Sequence, residues 1–363
     1  MSSQIGKKIT VSVFGESHGP AIGMVMDGTP VGIKIDADYL AAQAARRAPG
    51  NDAFATPRKE ADGVEILSGV KDGVTTGAPL TAIIKNSNTH STDYNNILNC
   101  PRPSHADYAA GVHYKGFNDI AGGGHFSGRL TAPLVTAGSI LRLYLKSKGI
   151  EIGGHICQIG GHIDSRFDPV NVSADTLLKL SSSNTFPLLN EKAKDAMLKE
   201  IADAKSAGDS IGGAVEIAVT GLPAGLGGPM FDGAENLISK AVFGIPAVKG
   251  IEFGEGFDFC SMRGSEANDQ MEIRCGKVAC TTNCNGGITG GITNSMPIIF
   301  RVAIKPTPSI SLPQNTVDLT TNQNTTLSIK GRHDPCIVPR ALPAIEAVTA
   351  IAIANLLAEE AEN

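Results

Sequence analysis

Two stretches decide the fold: "GMVMDGTPVGI" (Gly23–Ile33) and "EIAVTGLPAGL" (Glu216–Leu226). Each reads as a strand, then Gly-x-Pro-x-Gly, then an aliphatic residue. A helical segment follows each, at about 38–48 and 233–243. Next come "EILSGV" (Glu65–Val70) and "IEFGEGF" (Ile251–Phe257). The series closes with "GVTTGAPLTAIIKN" (Gly73–Asn86) and "GITGGITNSMPIIFRVAIK" (Gly287–Lys305). The shared order predicts two βαββ-type units from a duplication, about residues 20–85 and 213–305. They are expected to form one α/β (α+β) body over residues 1–363, with two sheets layered against helices.

Outward from these units, "KKITVSVFGE" and "PAIGMVMDG" read as strands, and "DADYLAAQAARRA" (Asp36–Ala48) as a capped helix. Longer helices are predicted in "GRLTAPLVTAGSILRLYLKSKG", with Pro133 confined to its first turn, and in the charged "LNEKAKDAMLKEIADAKSAGD". "LPAIEAVTAIAIANLLAEEAEN" reads as an Ala-rich amphipathic helix. Residues 165–189 and 308–331 show no strong period and read as surface excursions.

Composition excludes several classes. The 363 residues include 42 glycines without a triplet period, so collagen is excluded. A net charge of −5 argues against a nucleic-acid binder. "MSSQIGKKIT" has no apolar h-region, and no run of about 18 uninterrupted apolar residues predicts a membrane span. Seven cysteines without framework spacing read as reduced thiols in a cytoplasmic protein. No metal-ligand spacing appears, so no metal is expected.

Five polar segments could carry chemistry. "GESHG" (Gly15–Gly19) has nucleophile-elbow letters, but a strand follows instead of a helix, which removes a serine hydrolase and leaves His18 as a proton carrier. "CPRPSHADY" (Cys100–Tyr108) mounts Arg102 and His105 on a proline-stiffened segment. "AGGGHFSGRLTA" (Ala121–Ala132) runs three glycines into a helix start beside Arg129, which suits an anion but lacks a P-loop lysine. "KGRHDPCIVPRALPAIEA" (Lys330–Ala347) groups Arg332, His333, Asp334 and Arg340. "NCNGGITGG" with "AIKPTPSIS" offers close backbone approach, a cation and hydroxyls for a flat or phosphorylated ligand. Each segment also has a bland reading as a capped turn. Together, the arginines suit a polyanionic small molecule and the histidines suit proton transfer.

The ordered set "GESHGPAIGMVMDGTP", "RPSHADY", "SGRLTA", "GDSIGG", "GLPAGLG", "AVKGIEFGEGF", "GGITGGI", "KPTPSI" and "GRHDPC" resembles the chorismate synthase family over nearly the whole chain. The resemblance implies a β-α-β sandwich with internal pseudo-symmetry, usually a homotetramer. It implies a lyase that uses reduced FMN to convert 5-enolpyruvylshikimate-3-phosphate to chorismate and phosphate by 1,4-elimination. By the resemblance, His18 assists protonation of the reduced flavin. His105 stands near the leaving phosphate, and Asp334 works with the flavin in removing the ring proton. Arg46, Arg47, Arg102, Ser127, Arg129, Arg332 and Arg340 match substrate-binding positions. His125, Phe126, Ser127, Ala247, Gly290, Lys305, Pro306, Thr307, Pro308, Ser309 and Arg332 match flavin-contacting positions. The chain departs from the common pattern at His125, which replaces an arginine, at Leu130, which replaces a glutamate, and at Ala53. His125 is therefore expected to act as a pH-dependent donor to flavin or substrate. No separate reductase domain is visible for NADPH-dependent reduction of the flavin. Two rival classes stay open at this point: a phosphomonoester hydrolase and a phosphate-ligand binding module.

Overall fold

A computed structural model describes residues 3–48, 62–86, 99–182, 186–329 and 334–360. Arg332, His333 and Ala53 lie outside the described residues. The first half of the chain supplies β1 (Gln4–Ile5), β2 (Thr10–Gly15), β3 (Ala21–Asp27), α1 (Ala37–Arg47), β4 (Val64–Ser68), β5 (Val70–Lys71), β6 (Val74–Thr75) and β7 (Leu80–Lys85). Then come α2 (Asp107–His113), α3 (Thr131–Ser147), β8 (Glu151–Ile159), β9 (His162–Ile163), α4 (Ala174–Ser182) and α5 (Lys194–Ser206). The second half adds β10 (Gly213–Thr220), β11 (Ala224–Gly227), α6 (Ala234–Phe243), β12 (Val248–Phe253), α7 (Gly264–Ala267), β13 (Met271–Arg274) and β14 (Lys277–Cys280). It closes with β15 (Ile288–Thr289), β16 (Ile292–Asn294), β17 (Ile298–Ile304), β18 (Gln314–Asp318), β19 (Gln323–Leu327) and α8 (Val338–Glu360).

The two large sheets have one plan. The first runs β1-β2-β3-β7-β4 and the second β9-β8-β10-β17-β12. Strand for strand these orders superpose, with α1 and α6 at the same place in each unit. The two quoted Gly-x-Pro turns are held alike. Gly28 and Gly221 both have positive φ, and a Cβ on either would sit 2.0 or 2.1 Å from a carbonyl, of Lys8 or Gly149. Only glycine fits such an approach. The Thr75 hydroxyl donates to the Pro30 carbonyl (2.7 Å) and accepts from the Ile33 N–H (2.9 Å). In the second unit the Thr293 hydroxyl does the same with Pro223 (2.7 Å) and Leu226 (3.0 Å).

Helices fill the space between the sheets. α3 packs on β2, β3 and β7, α8 packs on β8, β10 and β11, and the two helices pack on each other. They approach closely because Gly138 of α3 meets Ala347 of α8; a Cβ on Gly138 would lie 2.4 Å from the Ala347 Cα. α8 was expected to be amphipathic. It is instead buried all round from Leu342 to Leu356, as a helix wedged between layers must be. Its length and apolarity would also suit a membrane span, but 89% of that window is buried inside the fold. The excursions also hold regular structure: residues 165–189 contain α4, and 308–331 contain the β18–β19 hairpin.

One buried cluster pins the first excursion. Gly23 and Glu216 open the two quoted stretches. Gly23 faces Phe14 across β2–β3, whereas Glu216 faces His155 across β10–β8. His155 is fully buried, with Nδ1 3.1 Å from Asp164 and Nε2 2.9 Å from Glu216. Burial opposes its charge, but the two carboxylates outweigh that penalty and raise its pKa above 6.5. Asp164 also accepts from the N–H groups of Leu189 (2.7 Å) and Asn190 (3.0 Å), and Glu216 from that of Phe167 (2.8 Å). Burial would raise Asp164, but hydrogen bonds from His155 and from that backbone hold it below 3.8.

The stability from His155 is therefore complete below its unfolded value of 6.5 and is lost as pH rises through its raised folded value. That from Asp164 is complete above 3.8 and is lost as pH falls through its depressed value. Denaturant midpoints of the wild type minus those of His155→Gln should thus plateau between these limits and narrow on the alkaline side. A difference independent of pH would refute the clamp.

Candidate active site

A cavity of about 700 Å³ opens where α1, the 121–131 turn, the 305–309 segment and the start of α8 meet. Among the described residues, six Lys and Arg side chains line it: Arg47, Arg102, Arg129, Lys249, Lys305 and Arg340. Of the described carboxylates, Asp334 shares the wall. The less polar run Phe243 to Val248 also lines it. Such a lining selects a small anion with an apolar or flat body.

Three carboxylates order the cations. Asp62 is buried between two arginines. It takes Nε (2.9 Å) and Nη2 (2.8 Å) of Arg47 and also pairs with Nη1 of Arg129. Arg129 Nε is held in turn by Asn86 (3.1 Å), whose amide also donates to the carbonyls of Glu16 (3.1 Å) and Gly19 (2.8 Å). Asp107, the first residue of α2, accepts Nε (2.7 Å) and Nη2 (2.8 Å) of Arg102 and approaches His105 Nδ1 at 2.5 Å. Asp334 pairs with Arg340, whose Nε also donates to the Arg47 carbonyl (3.0 Å). Even with Asp62 and Asp107 counted, six cations face three carboxylates among the described residues, a positive excess in that part of the wall. Burial first, and the charge of Lys249 second, lower the Lys305 pKa. Its ammonium donates to the Ser104 carbonyl (2.5 Å) and so steadies a residue at φ 59° next to His105.

The glycines at 122–124 bring both predicted histidines to one place. All three have positive φ. A Cβ on Gly122 would stand 2.2 Å from the His18 ring, and one on Gly123 would stand 3.3 Å from the His105 ring. Bare backbone thus separates His18 from His105. His105 lines the cavity, whereas His18 lies behind Gly122 and is not part of the wall.

The cavity also gathers His125, Phe126, Ser127, Ala247, Thr307, Pro308 and Ser309. Four of the expected site residues stand elsewhere or have other partners. Arg46 is not in the wall: it turns into the core, to Glu346 (2.6 Å), which also pairs with Arg142 (3.0 Å). Burial penalises Glu346, but these two guanidinium groups hold its pKa low, so the cluster is charged and structural. Gly290 is not in the wall either. It forms the β15–β16 turn with Gly291, at φ 62° and 83°, and a turn of that kind needs positive φ at both residues. Pro306 lies outside the wall, with Cδ against Gly212. His125 touches the cavity, but its Nδ1 donates to the Gly15 carbonyl (2.8 Å), leaving Nε2 to accept from Ser3 Oγ (2.7 Å). Both ring nitrogens are committed to protein partners, so the geometry makes His125 a brace between turns.

The sequence reading missed Asp62, Asn86, Asp107 and Lys249. Asp107 was legible in principle, two residues after His105; nothing local pairs Asp62 with arginines 15 and 67 positions away.

Comparison with known proteins shows the family. The model of the chorismate synthase family matches residues 9–358. The chain belongs to the chorismate synthase family. It is 46% identical to a chorismate synthase of Thermococcus kodakarensis over 97% of this chain and 96% of that protein. It is 45% identical to one of Dehalococcoides mccartyi over 98% and 96%. A solved structure titled as a chorismate synthase superposes with a TM-score of 0.75 at 27% identity, covering 98% of this chain and 93% of the other. The chain is therefore an enzyme of the lyase class acting in the shikimate route, with the mixed α and β fold of that family.

The family implies a flavin, and the wall fits one. Thr307 Oγ1 is buried with no hydrogen-bond partner among the described residues, so it can serve a ligand. Ala247 holds φ 71° with its carbonyl spent on the Lys305 N–H (2.9 Å), a strained backbone kept at the cavity edge.

Proposed function

We propose that this chain converts 5-enolpyruvylshikimate-3-phosphate to chorismate and phosphate by a 1,4-elimination that requires reduced FMN. The observation that carries it is the meeting of His105, Asp334 and a cationic wall in one cavity, with His18 just behind the glycine turn. The ring loses a C–H proton at one end of an allylic system and the C–O bond to phosphate at the other. A new C=C bond takes up the electron pair, and no net redox change occurs. Reduced flavin, when bound, supplies transient electron density that eases phosphate departure.

The residues that would hold it are Phe126, Ser127, Ala247, Lys305, Thr307, Pro308 and Ser309, with Arg332 by resemblance. Arg47, Arg129 and Arg340 would clamp the substrate's phosphate and carboxylate groups, because guanidinium forks match both. Protonated His105 would offset charge on the departing phosphate. Asp334, paired with Arg340, would receive the ring proton. His18 would keep the flavin in the required protonation state. By resemblance we also propose a single domain of two pseudo-repeats, working as a cytoplasmic homotetramer.

Anaerobic incubation of enzyme, substrate and chemically reduced FMN should release chorismate and phosphate in equal amounts, with neither formed when FMN is left oxidised. Phosphate without chorismate would instead support a hydrolase. Ligand binding without either product would support a binding module.

A further inference from the structure

We infer that Asp107 is the positioning residue that fixes His105 as its Nδ1–H tautomer, so that Nε2 is the atom that exchanges protons with the cavity. Asp107 is 8% exposed and lies between Arg102 and His105. It accepts Nε and Nη2 of Arg102, and its Oδ2 accepts the Arg102 backbone N–H at 3.1 Å. Burial alone would raise its pKa, but the hydrogen bonds from Arg102 and His105 hold it far below the usual carboxylate range, so it is ionised at working pH.

An ionised carboxylate can only accept. Its Oδ1 stands 2.5 Å from His105 Nδ1. A lone pair on Nδ1 would face that oxygen with repulsion, so the proton belongs on Nδ1. Arg102 Nη2, which can only donate, stands 3.0 Å from the same Nδ1 and favours a lone pair there, but the Asp107 oxygen is the closer partner and sets the proton on Nδ1. Nε2 is then left for the cavity side of the ring. The Cε1–Nε2 edge lies along Gly123, where a Cβ would come within 3.4 Å of Nε2. Glycine keeps that edge open. The same unit ties the histidine to the 305–309 segment, since Arg102 Nη1 donates to Ser309 Oγ (3.2 Å) and Lys305 holds the Ser104 carbonyl.

Among the described residues, the charged groups around His105 are Asp107 and Arg102 from its own segment and Lys305 from the facing one. His18 stands beyond Gly122, and Arg129, Arg340 and Asp334 share the cavity. Removing the Asp107 charge leaves mostly cations, so the imidazole should protonate less readily. The inference rests on the proposed elimination only for what Nε2 does; the tautomer itself can be read without turnover.

Long-range 1H–15N correlation on histidine-labelled protein decides it. The His105 signal is assigned by its loss in His105→Gln. Neutral wild-type His105 should carry its proton on Nδ1, and Asp107→Asn should lose that preference and titrate at lower pH. In the reduced-FMN assay, Asp107→Asn should lower kcat by about 10²-fold or more, with a smaller change in KM. The alkaline limb of its pH profile should move to lower pH, and Asp107→Glu should restore part of the loss. An Nε2–H tautomer in the wild type overturns the inference, whether or not the variant folds. Unchanged tautomer and pH profile in Asp107→Asn would overturn it as well. If the wild type forms no chorismate, the elimination fails while the tautomer still decides the role of Asp107.

Discussion

Asp62→Ala is expected to lower the stability of the fold by about 3–5 kcal/mol, the usual cost of stripping one partner from a buried ion pair. Arg47 is 2% exposed and Arg129 is 7% exposed, and both pair with Asp62. Each also has a neutral partner: the Gly128 carbonyl for Arg47 (3.4 Å) and Asn86 for Arg129 (3.1 Å). Without Asp62 two guanidinium groups repel across a few ångströms in a poorly solvated pocket. Inorganic phosphate should therefore stabilise Asp62→Ala more than it stabilises the wild type. Denaturant midpoints with and without phosphate test this. A loss below about 1 kcal/mol, or equal phosphate effects, would show that Asp62 is not the counter-charge of the anion site.

Gly122→Ala should abolish most of the turnover while leaving the bulk of the fold in place. At φ 61° an L-residue is strained, and the new Cβ would lie 2.2 Å from the His18 ring and 2.9 Å from Ser17 Oγ. Either the ring or the glycine turn must move, and the turn also carries Gly123 against His105. A loss of about 10²-fold in kcat is expected, since misplacing a proton carrier by about 1 Å costs that much. Adding His18→Gly should recover stability, because the clash partner is gone, but not turnover. Gly111→Ala, in α2 with open space around it, serves as the neutral control. Full activity in Gly122→Ala would mean that His18 has no bearing on the reaction.

The likeness of the two Gly-x-Pro turns was legible because turn chemistry writes itself into letters. Gly28 and Gly221 must be glycine where a carbonyl crowds the Cα, and Thr75 and Thr293 recur because each must bond a proline carbonyl and an amide at once. The α1 cap was legible for the same local reason: Asp36 accepts the Tyr39 N–H. The motif segments of the site were legible as chemistry-bearing types. Their assignment was less so. Arg46 and Arg47 are adjacent, yet about 100° of helical rotation sends one to Glu346 in the core and the other to Asp62 at the cavity.

Sequence by itself thus determined the α/β class, the repeated order of elements, and the residue types that could serve an anion and a proton, since local turns, caps and side-chain chemistry depend on near neighbours. Tertiary structure decided which of them meet. It set His18 and His105 on either side of a bare glycine turn, assigned carboxylates to arginines far away in the chain, made α8 a buried core helix, and spent His125 on Gly15 and Ser3. Those outcomes depend on what packs against each surface, and no stretch of sequence carries that information alone.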